Sequence, residues 1–339
     1  MKLKRILLII FFVLLIFSAI GIKIVFFSSN VLRTKRIYIP HNSTFSQVLD
    51  ILSRDDVIKD IKTLRLAMYM RKYPRMIKSG SYVLKIGMNN WQIINKLRGG
   101  VQDPVNLTFN NIRTKEELAG KISKKLEMDS LTLLKALKDT ALYAKYGFNR
   151  FNILAMFIPN TYRIYWNISP KAFIYRMYKE YKRFWNSERL TKAHKKNLKP
   201  VEVIILASIV QAEQAQHPDE RPLIASVYLN RLKKGMHLEA DPTVIYAIGD
   251  FSIKRVLKDM LNIDSPYNTY KYFGLPPGPI LTPDISSIDA VLNAPNTNYL
   301  YFCAKDDFSG YHYFSSTYKQ HLIYARKYQQ ALNKRKIYR

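Results

Sequence analysis

Cysteine is almost absent: Cys303 is the only one among 339 residues. That excludes an intramolecular disulfide, a disulfide framework and any Cys-rich zinc or iron–sulfur centre. The chain also lacks a G-x-S-x-G elbow, a phosphate-binding loop and an H-E-x-x-H helix, so hydrolases built on those devices have no support. Acidic residues are scarce, 25 Asp and Glu against 54 Lys and Arg, for a net charge of +29. Such a surface attracts polyanions, whether nucleic acid, anionic lipid head groups or an acidic wall polymer, or it is simply a solvated, lysine-biased face. Hydrophobic residues at 48% are enough for a sizeable core, and the length leaves room for two compact domains and a third small one.

What is present begins with location. After Lys2, Lys4 and Arg5 come 17 uninterrupted apolar residues (6–22), then Lys23 and IVFF. A bilayer core of about 30 Å needs roughly 20 residues, and a snorkelling Lys23 extends this run to Phe27. The basic residues in front hold the N-terminus on the cytoplasmic side, so the expectation is a single-pass protein of the inner (plasma) membrane with everything beyond Phe27 periplasmic or extracytoplasmic. A cleaved signal peptide is the rival reading. Ser18 and Ala19 are small, but no clear A-x-A site follows and the run is longer than a signal h-region. Export argues against nucleic acid as a partner and favours lipid head groups or wall polymer.

The expected fold class is α+β: a transmembrane helix within residues 1–30, a small module over 31–104, and a larger domain over 105–339. In the small module Ser43 or Thr44 is placed to cap one helix and Asn89 or Asn90 a second, with Trp91, Ile94 and Leu97 inward and Gly99 as its stop. VNLTF reads as a strand, and LTLLKALKDTALYAKYG and KAFIYRMYKEYKRFW as helices. Beyond Pro200, VEVIILASIVQAEQAQ reads as a buried helix whose polar residues collect at its C-terminal end. ERPLIASVYLNRLKK follows as a helix, then a short helix capped by Asp241 with Pro242 in its first turn and Gly249 at its end. NYLYFCA and GYHYFSS read as strands.

Glu213 is the sharpest candidate for chemistry. It stands at the end of an apolar helix, where desolvation and the negative end of the helix dipole both disfavour a carboxylate and raise its pKa. A carboxylic acid protonated near neutrality is what glycosidic cleavage needs, because the leaving oxygen must gain a proton. The alternative is a solvated Glu at a frayed helix end. Asp241 is accounted for by capping. His237, Glu239 and Asp241 alternate, but two-residue spacing of common polar residues is weak grounds for a metal site, and no metal is expected. Tyr267, Tyr270, Tyr272, Tyr299, Tyr301, Tyr311 and Tyr313 cluster in the last third, as sugar-facing aromatics or as strand core.

The stretches LASIVQAEQ, ERPLIASVYLNRLKKGMHLEADPTVIYAIG, SPYNTYKYFGLPPGPILTP and YLYFCAKDDFSGYHYFSSTYKQH, in this order and spacing, closely resemble the YceG-like (MltG) family of endolytic murein transglycosylases. FIPNTY is similar to that family's turn before the catalytic region, and residues 37–100 resemble its LysM-like module. The resemblance implies a membrane-anchored lyase that cuts nascent peptidoglycan strands between N-acetylmuramic acid and N-acetylglucosamine with a 1,6-anhydro end, limits strand length, needs no cofactor and accompanies peptidoglycan synthase complexes. The family's catalytic glutamate lies in a helix motif of two acids separated by one residue, which here read Gln211 and Glu213, so Glu213 alone can do acid–base work. Ala155 and Asn160 stand where members commonly carry acids, and Glu239 where Gln is usual. Glu239 is expected to raise the pKa of Glu213 if the two are close. Asn230, Glu239, Asp241, Thr243, Asn268, Thr269 and Tyr270 are the expected substrate-binding positions. The competing readings are a muramidase-type hydrolase, with Glu239 or Asp241 activating water, and a non-catalytic peptidoglycan-binding scaffold.

Overall fold

A computed structural model describes residues 2–335 as a mixed α+β chain in two compact units. The first runs to Leu107 and takes in Ser123–Asp129 and Tyr162–Ser169; the second comprises Thr108–Ile122, Ser130–Thr161 and the chain from Pro170 onward.

In the first unit, α1 (Lys2–Ile22) continues through a π-helical turn, Lys23–Phe27. Leu3–Phe27 is a 25-residue stretch apolar and long enough to cross a membrane, and the large apolar side chains from Leu3 to Ile24 are exposed. The stretch does not end in a free linker. Phe26 is buried in the core of this unit, and Phe27 stacks on Trp91 with ring centres 6.0 Å apart. Strand β1 (Lys35–Ile39) runs antiparallel to β2 (Gly80–Leu84), with α2 (Phe45–Ser53) and α3 (Ile61–Met70) between them in sequence and α4 (Asn90–Gly99) after them. Thr44 caps α2 and Asn89 caps α4, each in a reciprocal capping box with a glutamine three residues on. The inward face of α4 is Ile93, Ile94 and Leu97. Trp91, expected among them, is half-buried at the edge beneath the Arg71 guanidinium, and the left-handed residue that stops the helix is Gly100 rather than Gly99.

The chain passes between units through β3 (Val105–Phe109) and β4 (Asn160–Ile164), which pair with each other. The second unit carries α5 (Lys115–Ser123), α6 (Ser130–Lys138), α7 (Pro170–Phe184), α8 (Ser187–Lys195), α9 (Pro200–Glu213), α10 (Arg221–Lys233), α11 (Asp241–Ile248) and α12 (Ile285–Leu292). An antiparallel hairpin, β5 (Tyr301–Ala304) with β6 (His312–Ser315), leads to α13 (Tyr318–Lys334). Helix α9 is the axis of this unit, packed against α10, α11 and α12. Every residue from Val203 to Gln211 is buried, and each large aliphatic side chain among them contributes about 1.5–3 kcal/mol by leaving water. The helix therefore holds its last turn, with Glu213, rigidly in place.

Candidate active site

Glu213 is the final residue of α9 and is half-buried. Its Oε1 accepts a 2.7 Å hydrogen bond from the hydroxyl of Tyr228, a buried residue of α10. Burial is the largest influence on the Glu213 carboxyl. Together with the negative charge of Asp241, and against the Tyr228 hydrogen bond and the Arg231 guanidinium, it pushes the pKa up from 4.5 to about 7. Burial and the Glu213 charge also hold the Tyr228 phenol well above its ordinary value, so Tyr228 is a fixed donor. With Oε1 accepting that bond, the proton of neutral Glu213 belongs on Oε2, which has no hydrogen-bond partner among the described residues.

The last turn is pinned from behind. Arg221, itself buried, donates from Nε to the Gln214 carbonyl at 2.8 Å and from its other nitrogens to the Ala215 carbonyl and the Ser286 and Ser287 hydroxyls. The Gln214 amide bonds buried Glu220 at 2.9 Å, and Glu220 accepts from His312 Nδ1 at 2.6 Å. The Arg221 bonds take up the two carbonyls just beyond the helix end.

Two of the expected binding residues, Asp241 and Tyr270, are close enough to this carboxyl to interact with it electrostatically, and a third, Glu239, is held elsewhere. Asp241 does not cap α11: Ala240 holds the N-cap position, Asp241 is the first helical residue, and its carboxylate accepts from the Tyr270 hydroxyl at 2.6 Å. The capping expectation fails because a nearby phenol offers a shorter, stronger partner than the helix amides. Burial and the Asp241 carboxylate raise the Tyr270 phenol. Glu239, in a left-handed conformation at φ 53°, is ion-paired with Arg231 at 2.9 Å. The like charge acting on Glu213 is accordingly that of Asp241, not of Glu239 as expected.

The other expected positions are spent internally. The buried Thr243 hydroxyl donates to the Ala240 carbonyl at 2.7 Å and lies 2.8 Å from that of buried Thr269, which also accepts from the Ala240 amide. Buried Asn268 donates to the Leu261 and Ile263 carbonyls. These three lock the loop that carries Tyr270 onto the start of α11. Asn230 donates to the carbonyls of Thr297 and Tyr299, both at 2.9 Å. Gln211 is likewise structural on one side: its Oε1 accepts from the Asp284 amide at 2.6 Å and the Ser287 hydroxyl at 2.9 Å.

Tyr228 and Arg231, which the sequence reading did not single out, are the other side chains that act on the Glu213 carboxyl. They stand three apart on α10 and so share a face. Arg231 is buried and spans the Leu300, His237 and Leu238 carbonyls as well as Glu239. The sequence offers only their spacing on a predicted helix, and their burial is visible in the structure alone. No group of three or more His, Cys, Asp or Glu among the described residues is placed to hold a metal. The set can therefore be read as one acid of raised pKa, one fixed donor, a neighbouring carboxylate and a structural cation.

The chain belongs to the YceG-like family, whose model matches residues 37–327. It is 35% identical over 324 residues to the endolytic murein transglycosylase of Bacillus subtilis (strain 168), covering 89% of this chain and 87% of that protein. The endolytic murein transglycosylase of Streptococcus pneumoniae serotype 2 (strain D39) is 38% identical over 130 residues, 37% of this chain and 23% of the pneumococcal protein. Among solved structures, a YceG-like protein of Listeria monocytogenes is similar with a TM-score of 0.56 and 28% identity, over 86% of this chain and 98% of that one.

Proposed function

We propose that this protein is a membrane-anchored lytic transglycosylase that cleaves peptidoglycan strands internally, between N-acetylmuramic acid and N-acetylglucosamine, and that Glu213 is its catalytic residue. The observation that carries this reading is a half-buried carboxyl with a pKa near 7, one oxygen held by Tyr228 and the other open. Family membership and the similarity to murein transglycosylases support the choice of substrate.

In the first step Glu213 gives its Oε2 proton to the bridging oxygen as the bond to the anomeric carbon breaks. In the second, the resulting carboxylate takes the proton of the C6 hydroxyl of the same muramic ring, whose oxygen bonds to the anomeric carbon. Glu213 ends protonated, no water enters, and no cofactor is required. The nucleophile is intramolecular, so its effective concentration is high and no second catalytic carboxylate is needed. Tyr228 orients the carboxyl and stabilises it while ionised. Asp241 and Tyr270 form the near rim, Thr243, Asn268 and Thr269 shape it by holding the loop of Tyr270, and Asn230 holds the segment at Thr297 and Tyr299.

In the same reading Leu3–Phe27 spans the plasma membrane with the second unit on the outer side, where nascent strands leave their synthase complexes. The β–α–α–β order of β1, α2, α3 and β2 supports a LysM-like module in the first unit. The test is mass analysis of products from purified glycan strands incubated with the detergent-solubilised chain. Anhydro ends support the proposal. Hydrated ends would make the protein a hydrolase with Asp241 activating water, and unchanged strand length with retained wall binding would make it a scaffold.

A further inference from the structure

The stretch Leu3–Phe27 passes into the first unit without a linker, and this decides which surface of that unit stands at the membrane. At about 1.5 Å per residue its 25 residues reach roughly 37 Å, a little beyond a hydrocarbon core of about 30 Å, so Phe27 falls at the level of the lipid head groups. The joint is fixed by contacts on both sides of it. Phe26 lies in the core of the unit, and the side-chain amide of Asn90 donates to the Val25 carbonyl at 2.7 Å and to the Thr63 hydroxyl at 3.4 Å. Helices α3 and α4 are thereby packed against the end of the stretch.

The surface around this joint carries an aromatic column topped by a cation. Phe27 stacks on Trp91 with ring planes 29° apart, and the Arg71 guanidinium lies 4.2 Å from the Trp91 ring centre. Among the described residues that guanidinium makes one hydrogen bond, a long one of 3.4 Å from Nη2 to Asn95. Beside the column, helical spacing places Leu66 and Met70 on the face of α3 that begins with Thr63, and they are 51% and 58% exposed. Residues 61–79 hold six Lys and Arg and no Asp or Glu.

Apolar side chains set in a basic field, next to stacked aromatics, suit a bilayer interface, where acyl chains take the first and phosphates the second. A phospholipid layer offers both partners at once, and the adjoining stretch brings that layer to this height. We propose that α3 and the Trp91–Arg71 column are a docking surface for the outer leaflet, in which Arg71 pairs with a lipid phosphodiester and Leu66 and Met70 enter the acyl boundary. The first unit is then seated on the bilayer instead of swinging from its anchor. This rests on the reading of Leu3–Phe27 as a membrane span and is independent of the murein chemistry.

The test uses the full chain with Cys303→Ser in nanodiscs of phosphatidylglycerol and phosphatidylcholine, carrying a nitroxide at Met70→Cys or, separately, at Leu14→Cys within the span. Power-saturation EPR compares collisions with oxygen, which partitions into lipid, and with a water-soluble nickel chelate. The expected oxygen-to-nickel ratio at Met70 is at least about 3-fold above that of the same nitroxide on free cysteine in buffer, and it falls by about half or more when Arg71→Gln is added. A Met70 ratio equal to that of the free label, with the Leu14 label in hydrocarbon, would overturn the docking surface and leave the span standing. A Leu14 label in water would overturn both. A Met70 label shielded from oxygen and nickel alike would reveal a protein partner and overturn the lipid assignment, and a raised ratio indifferent to Arg71→Gln would strike Arg71 from the surface. Leu66→Cys, on the same face, supplies the reading if Met70→Cys fails to fold.

Discussion

Tyr228 and Glu213, on neighbouring helices, meet through a 2.7 Å hydrogen bond in which the phenol O–H donates to Oε1 and Oε2 is left without a partner among the described residues. The bond opposes the effect of burial on the carboxyl, so its removal has a definite sign. In Tyr228→Phe the Glu213 pKa rises further, and the alkaline limb of the pH–rate profile moves to higher pH. The plateau falls roughly 10-fold as the carboxyl loses its orientation. Initial rates of anhydro-product release across pH 5–9 check both effects, and an unmoved limb would count against the assignment.

Asp241→Asn has the opposite sign. It removes the negative charge that raises the Glu213 pKa, so the alkaline limb shifts to lower pH, and activity at pH 8 drops roughly 3- to 10-fold. Glu239→Gln, by contrast, leaves the limb nearly where it was, because Glu239 is paired with Arg231. The two pH profiles side by side decide which carboxylate Glu213 feels.

Glu213→Gln keeps an acceptor for Tyr228 and removes the proton. Activity is expected to disappear and stability at alkaline pH to rise. With the folded-state pKa raised from 4.5 to about 7, ionising Glu213 in the folded chain costs up to about 3 kcal/mol more than in the unfolded chain. The wild type is therefore at no disadvantage below about pH 4.5 and loses stability relative to the variant as pH rises to about 7. Denaturant midpoints of both proteins at pH 5 and pH 8 measure the difference. An equal gap at both values would contradict the raised pKa.

Arg221 is buried and holds the Gln214 and Ala215 carbonyls just beyond the last turn of α9. Arg221→Ala leaves those carbonyls and the Ser286 and Ser287 hydroxyls without their donor, and costs about 3–5 kcal/mol. Arg221→Lys, which cannot span the same acceptors, is expected to fold with a lower denaturant midpoint and reduced kcat. Circular dichroism and initial rates on the same preparations separate the two losses.

The buried run of α9 and the polar residues at its end were legible in the sequence because they are local: periodicity and composition report burial, and burial reports a raised carboxyl pKa. The apolar anchor, β3, the β5–β6 hairpin and most helices were readable for the same reason. Partnerships between distant segments were not. Asp241 carries every local mark of an N-cap, and only the fold brings Tyr270, 29 residues on, within 2.6 Å. Glu239 is close to Asp241 in sequence, yet Arg231 claims it. Thr243 and Thr269 look like exposed polar candidates until the structure shows their hydroxyls 2.8 Å apart and buried. The returns of the chain to the first unit at Ser123–Asp129 and Tyr162–Ser169 leave no local mark at all.

The protonation state of Glu213 is measured most directly by difference infrared titration of the wild type against Glu213→Gln, following the carboxylic acid C=O band lost in the variant. A midpoint near pH 7 is the expected result. A carboxyl already ionised at pH 5 would contradict the account, because no proton would then be available for the glycosidic oxygen at neutral pH.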